Sequence, residues 1–154
     1  MKSESQNGKN VELNEGPKTI VLVDDDKSEG LIFRSYIRNA GVKFTLKEFN
    51  TGKEFLDYMN TIKDGSEAMP DLVLLDIRMP VMDGFQVLQN VRNDPSFEKL
   101  PFVTVFSNSQ EATDKEKALD LGADKYATKP KDGEEYMEFL RFIDKSLNTD
   151  QMIK

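Results

Sequence analysis

After Pro17 the chain falls into five short apolar runs separated by longer stretches of mixed polarity. The runs are Thr19 to Val23, Phe44 to Phe49, Leu72 to Leu75, Phe102 to Phe106 and Ala123 to Ala127. The third (LVLL) and fourth (FVTVF) are nearly continuous, which predicts parallel strands buried on both faces. The second and fifth are more polar and are expected at sheet edges. Between them, Ile32, Phe33, Tyr36, Ile37 and Ala40 recur at helical spacing, and Gly41 stops that helix. Phe55, Tyr58, Met59 and Ile62 mark a second helix, closed by Asp64-Gly65, and Phe85, Leu88 and Val91 mark a third. A fourth, Ala112 to Leu121, is weakly apolar and ends at Gly122. Tyr136, Phe139, Leu140, Ile143 and Leu147 give the last helix a clean stripe, and these aromatic and methionine positions are read as core. The predicted fold is therefore α/β, a (βα)5 chain whose doubly wound parallel sheet carries helices on both faces. Residues 1–16 lack sustained periodicity and are read as a disordered N-terminal tail. One domain is expected over 17–148, with a short C-terminal tail at 149–154.

Composition narrows the chemistry more than it alters the fold. The 154 residues are 38% hydrophobic and 32% charged, ordinary for one globular domain. No apolar run reaches the ~18 residues that span a bilayer, and Met1 to Gly16 lack the apolar middle of a secretory signal. A cytoplasmic location is the expectation. The net charge of −7 repels nucleic acid and anionic membrane, so neither is expected as a partner. The absence of cysteine removes disulfides and thiolate chemistry. The absence of histidine removes Ser-His-Asp triads, histidine metal sites and imidazole bases.

In open parallel sheets the functional crevice lies beyond the carboxyl ends of the strands. Here those ends carry Asp24-Asp25-Asp26, then Asp76, then Ser107-Asn108, and finally Lys129-Pro130. Taken singly, each has a bland explanation: Asp26 reads as the cap of the first helix, and a lone Lys-Pro is a turn. Together they are harder to dismiss. Two like charges ~4 Å apart repel by about 4 kcal/mol at an effective dielectric near 20, so clustered carboxylates call for a cation or a proton. Oxygen ligands without histidine or cysteine point to a hard ion, Mg²⁺ or Mn²⁺.

The segments VLVDDD, LLDIRMPVMDG, VFSNS and KYATKP resemble the receiver domain of two-component response regulators, in the right order and on the right strand ends. The resemblance covers about residues 17–148 and implies a flavodoxin-like strand order of 2-1-3-4-5. It implies that Asp76 is the phosphoacceptor, a carboxylate nucleophile. Asp25 is similar to the direct Mg²⁺ ligand, Asp24 to its companion, and the backbone carbonyl of Arg78 to a further ligand. Lys129 resembles the ammonium that pairs with Asp76 and then with a phosphoryl oxygen. Ser107 resembles the hydroxyl that bonds the phosphoryl group, and Tyr126 the aromatic switch that follows it. Met79-Pro80 and Asp83-Gly84 shape the loop after the nucleophile, and Pro130 resembles a proline reached through a cis peptide bond. The pattern departs at Asn108, where the family usually has Ala, Gly or Ser, and Arg78 stands at a position that varies. The longer segments Asp64 to Pro70 and Asn93 to Pro101 look like the subgroup found with bacterial phytochrome kinases.

The resemblance implies a signalling phosphoacceptor that takes part in its own phosphotransfer and slow dephosphorylation, not a turnover enzyme. The donor is expected to be a histidine kinase or a histidine phosphotransfer protein. Two rivals fare worse. A haloacid-dehalogenase phosphatase needs a second Asp two residues after the nucleophile, where Arg78 stands. A flavin or nucleotide binder needs an amide-rich loop after the first strand, where three carboxylates repel phosphate. A receiver that only docks partners stays as a third reading. Since only Asn148 to Lys154 follow the last helix, output is expected through a separate protein, or by relay of the phosphoryl group to another histidine. The identity of the output protein and the choice between monomer and dimer stay open.

Overall fold

A run such as Leu72-Val73-Leu74-Leu75 has no polar face to offer water, so it is satisfied only inside a sheet covered on both sides. The computed structural model, which describes residues 16–149, puts it there, with all four side chains buried. The elements are β1 (Lys18–Val23), α1 (Lys27–Ala40), β2 (Phe44–Phe49), α2 (Gly52–Lys63), β3 (Leu72–Leu75), α3 (Gly84–Arg92), β4 (Val103–Ser107), α4 (Ala112–Asp120), β5 (Lys125–Thr128) and α5 (Gly133–Thr149). All neighbouring strands pair in parallel, in the order β2-β1-β3-β4-β5. The edge strands β2 and β5 are the half-exposed ones. Of the expected tails, 1–16 and 149–154, residues 1–15 and 150–154 lie outside the described residues, and Thr149 is the last residue of α5.

The alternation of side chains along each strand divides the core in two. Val21, Val23, Val73, Leu75, Val103 and Val105 point to one face and pack with Phe55, Leu88 and Val91. Ile20, Leu22, Leu72, Leu74 and Phe106 point to the other and pack with Phe33, Tyr136, Leu140 and Ile143. The helix ends follow local chemistry. Asp26 caps α1 by accepting from the Ser28 amide, and Gly41 closes it at φ 70. Asp83 and Gln86 form a capping box at the start of α3. By contrast, α4 buries only Asp114 and Ala118, and its N-cap Glu111 makes no side-chain cap bond.

Three strands differ from the periodicity at their ends, and β1 begins one residue before the expected Thr19, at Lys18. The fourth strand runs one residue later than Phe102 to Phe106, because Ser107 still pairs with Thr128. The fifth begins at Lys125, two residues after the expected Ala123. Gly122 turns at φ 110 and the Ala123 amide returns to the Ala118 carbonyl at 3.0 Å, so Ala123 belongs to the helix-ending turn. The long segment after α3 holds a 3₁₀ turn, Pro95–Phe97, and is tied down by Arg92, whose guanidinium donates to the carbonyls of Phe97 and Pro101.

Candidate functional site

The sheet order reverses between β1 and β3, so the two strands that leave the largest gap between their following connections end side by side. Their first residues past the ladder are Asp24 and Asp76. The Asp24 amide donates to the Phe49 carbonyl and the Asp76 amide to the Val23 carbonyl, so both backbones are pinned by sheet hydrogen bonds at 3.0 and 2.9 Å. Asp24 is 2% exposed and Asp76 7%, while Asp25 lies open to solvent. One carboxylate oxygen from each of the three lies within 4.8 Å of the others.

Gly84 explains why the chain after Asp76 turns as it does. A β-carbon there would sit 2.2 Å from the Asp76 carbonyl oxygen and 2.8 Å from the Ile77 Cα. Only glycine admits this approach, and its amide donates to the Ile77 carbonyl at 2.9 Å. Met79 is buried beside it, Pro80 is exposed, and Asp83 caps α3.

Lys129 reaches the cleft from beyond β5, where its amide donates to the Ser107 carbonyl at 2.9 Å. Its ammonium lies 2.7 Å from Asp24, 3.6 Å from Glu29 and 3.9 Å from Asp76. The expected Lys129–Asp76 pair is therefore the longest of three, and Asp24 is its first partner. The peptide bond before Pro130 also departs from expectation: it is trans, and the cis bond among the described residues precedes Pro101. Pairing with Ser107 at the end of the β4–β5 ladder already aims the Lys129 side chain inward.

Burial is the largest influence on Asp76 and pushes its carboxyl up to about 6; Lys129 partly reverses the rise and Asp24 adds to it. Lys129 is displaced downward by burial, but its hydrogen bond to Asp24 and the charges of Asp76, Asp24 and Glu29 outweigh this and leave it above its ordinary value. The site holds its ammonium charged.

Ser107 is buried at the end of β4, and its Oγ accepts from the Ser109 amide at 3.1 Å. Tyr126 donates its hydroxyl to the Ser109 carbonyl at 2.7 Å. Ser107 and Tyr126 therefore meet through Ser109, which the sequence had not singled out. Arg78 and Asn108 line the same cleft as Asp24, Asp25, Asp76, Ser107 and Lys129.

Two further groups were missed. Glu29, in the first turn of α1, accepts from the Tyr136 hydroxyl while facing Lys129. Asp114, in the first turn of α4, is buried and accepts from both Arg78 and Ser109. Each looks like an ordinary acidic residue at a helix start, and no signal along the chain reveals partners 107 and 36 positions away.

Comparison with known proteins agrees with this geometry. The family model of the response regulator receiver domain matches residues 20–141. The sensor histidine kinase CheAY of Helicobacter pylori is 35% identical over 115 residues, covering 75% of this chain and 13% of CheAY. An uncharacterized 14.6 kDa protein of Leptolyngbya boryana is 31% identical over 124 residues, covering 80% of this chain and 86% of that one. The crystal structure of the phosphorylated cyanobacterial phytochrome response regulator RcpA superposes with a TM-score of 0.74 at 27% identity, covering 88% of this chain and 96% of that one. The chain belongs to the response regulator receiver domain family, whose members are signalling phosphoacceptors rather than turnover enzymes. No helix among the described residues is long and apolar enough to cross a membrane.

Proposed function

We propose that Asp76 accepts a phosphoryl group from a phosphohistidine on a histidine kinase or phosphotransfer protein. The observation that supports this most directly is the meeting of Asp76 with Asp24, Asp25 and Lys129 at the point where the strand order reverses. The all-oxygen donor set fits a hard divalent cation, with Asp24, Asp25, Asp76 and the Arg78 carbonyl as its holders. When bound, Mg²⁺ (or Mn²⁺) supplies positive charge against the carboxylates and the incoming phosphoryl oxygens.

In the transfer, a carboxylate oxygen of Asp76 attacks phosphorus, and the phosphorus–nitrogen bond breaks with its electron pair returning to the donor imidazole. No base on this chain is required, because the nucleophile is an anion. Lys129 balances the charge that collects on the phosphoryl oxygens, and it is preformed for this by Asp24 and Glu29. Ser107 turns its hydroxyl toward the phosphoryl group. In doing so it gives up the Ser109 amide, and Ser109 carries the hydrogen bond to Tyr126. A local charge event thereby reaches α4, β5 and α5, the surface that presents the signal to a partner protein or to the next histidine of a relay.

The test is labelling with a small phosphodonor such as acetyl phosphate and Mg²⁺, followed by intact mass and hydroxylamine cleavage. One hydroxylamine-sensitive phosphate per chain is expected, absent in Asp76→Asn. Full labelling of that variant would place the acceptor elsewhere.

A further inference from the structure

One ion pair spans the cleft without serving the chemistry just described. Arg78 stands two residues past Asp76 and lines the cleft, yet its guanidinium is 2.8 Å from Asp114 on α4. The Arg78 side chain is 65% exposed and the Asp114 side chain 12%, so the carboxylate is the buried partner and the arginine the exposed one. The Ser109 hydroxyl donates to the same Asp114 oxygen at 2.6 Å. The buried carboxylate therefore holds both the β4–α4 loop and a cation from the β3–α3 loop. It does so at the start of a helix with little else to hold it, given two buried residues and no side-chain cap.

We propose that Asp114 is a positioning residue that withholds the Arg78 guanidinium from the phosphoryl group on Asp76, and so shortens the life of the phosphorylated state. The proposal rests on Asp76 being the phosphoacceptor. A phosphoryl group at Asp76 brings a second strong anion to the cleft that Arg78 lines, and the guanidinium is a bidentate donor suited to it. Asp114 and the phosphoryl oxygens then compete for one cation. While Asp114 keeps it, the outer face of the phosphoryl group stays open. Water attacks phosphorus there, the bond to the Asp76 oxygen breaks with its electron pair returning to the carboxylate, and the proton from water leaves with inorganic phosphate. When Arg78 is captured by the phosphoryl group, it covers that face, and Asp114 with the start of α4 is released. Lifetime and helix position are thus two readings of one competition.

The experiment labels wild type, Asp114→Asn, Arg78→Gln and the double variant with acetyl phosphate and Mg²⁺. The donor is then removed, and loss of label is followed by intact mass. Asp114→Asn should lose phosphate more slowly than wild type, by roughly fivefold, a coupling at the low end for two linked sites. The same change made in Arg78→Gln should leave the rate unaltered, because no guanidinium remains to be withheld. A merely structural role for Asp114 would instead alter the rate equally in both backgrounds. Equal rates for Asp114→Asn and wild type, or an Asp114 effect that persists without Arg78, would overturn the inference. If Asp114→Asn does not fold, Arg78→Gln decides alone. Its unphosphorylated α4 amides should shift toward those of phosphorylated wild type, and unchanged α4 amides would overturn the inference. Absence of label on wild-type Asp76 would refute the phosphoacceptor reading itself.

Discussion

Asp76 is buried beside Asp24, and that burial, with a smaller contribution from the neighbouring charge, makes the site measurable without any partner. The raised carboxyl of Asp76 binds its proton more tightly in the native than in the unfolded state. Its contribution to stability therefore falls as pH rises through the interval between 3.8 and about 6, and the penalty is complete above it. In EDTA at neutral pH, Asp76→Asn should melt higher than wild type, by on the order of 1 kcal/mol once screening by water at the open cleft is allowed for. The difference should vanish near pH 4; thermal melts across pH check it, and a pH-independent gain would assign the effect to something other than charge. Adding Mg²⁺ should stabilise the ionised carboxylates and raise the stability of wild type by about 1–3 kcal/mol at saturating metal. Asp25→Ala should lose most of that rise, because its carboxylate is exposed, whereas those of Asp24 and Asp76 already accept from backbone amides and face Lys129. A variant that responds to Mg²⁺ as wild type does would move the metal to another site.

At the scale of elements, the approach of α3 to the end of β3 is set by the absence of a side chain at Gly84. Gly84→Ala drives a methyl group into the Asp76 carbonyl and the Ile77 Cα, and backbone cannot move aside as a flexible side chain can. The expected cost is about 1–3 kcal/mol by chemical denaturation. Labelling of Asp76 should slow as well, since the end of β3 shifts with it. Wild-type stability together with wild-type labelling would show that the loop has slack. The neighbouring helix behaves oppositely. Five of the nine residues of α3 are buried, against Asp114 and Ala118 alone in α4. An element so lightly anchored shifts at least cost, which is why α4 and not α3 is expected to carry the signal.

For the whole molecule, that difference in anchoring predicts where phosphorylation is felt. Amide-shift or hydrogen-exchange mapping with and without a phosphoryl mimic and Mg²⁺ should show changes between Ser107 and Lys129 and on the exposed side of α5. Changes confined to α1 and α2 would point to a different output surface. A partner on the responding face reports the state only by binding one form more tightly than the other. Much of this plan was legible along the chain. Continuous apolar runs such as LVLL can be satisfied only between two helical layers, and five short apolar runs alternating with five amphipathic helices leave little choice but a doubly wound sheet. That Asp24, Asp25, Asp76, Ser107 and Lys129 would share one cleft was legible because polar groups at the ends of neighbouring parallel strands come together at one edge of the sheet. What periodicity could not reach were the partners chosen across the fold. Lys129 meets Asp24 before Asp76, Tyr126 meets Ser107 only through Ser109, and Glu29 and Asp114 turn from helix-start acids into a half-buried and a buried acceptor. Burial pattern is written in local order because hydrophobicity acts on each residue with little regard to direction. Hydrogen bonds and ion pairs depend on ångström distances between residues far apart in the chain, and those distances exist only once the strands have taken their order in the sheet.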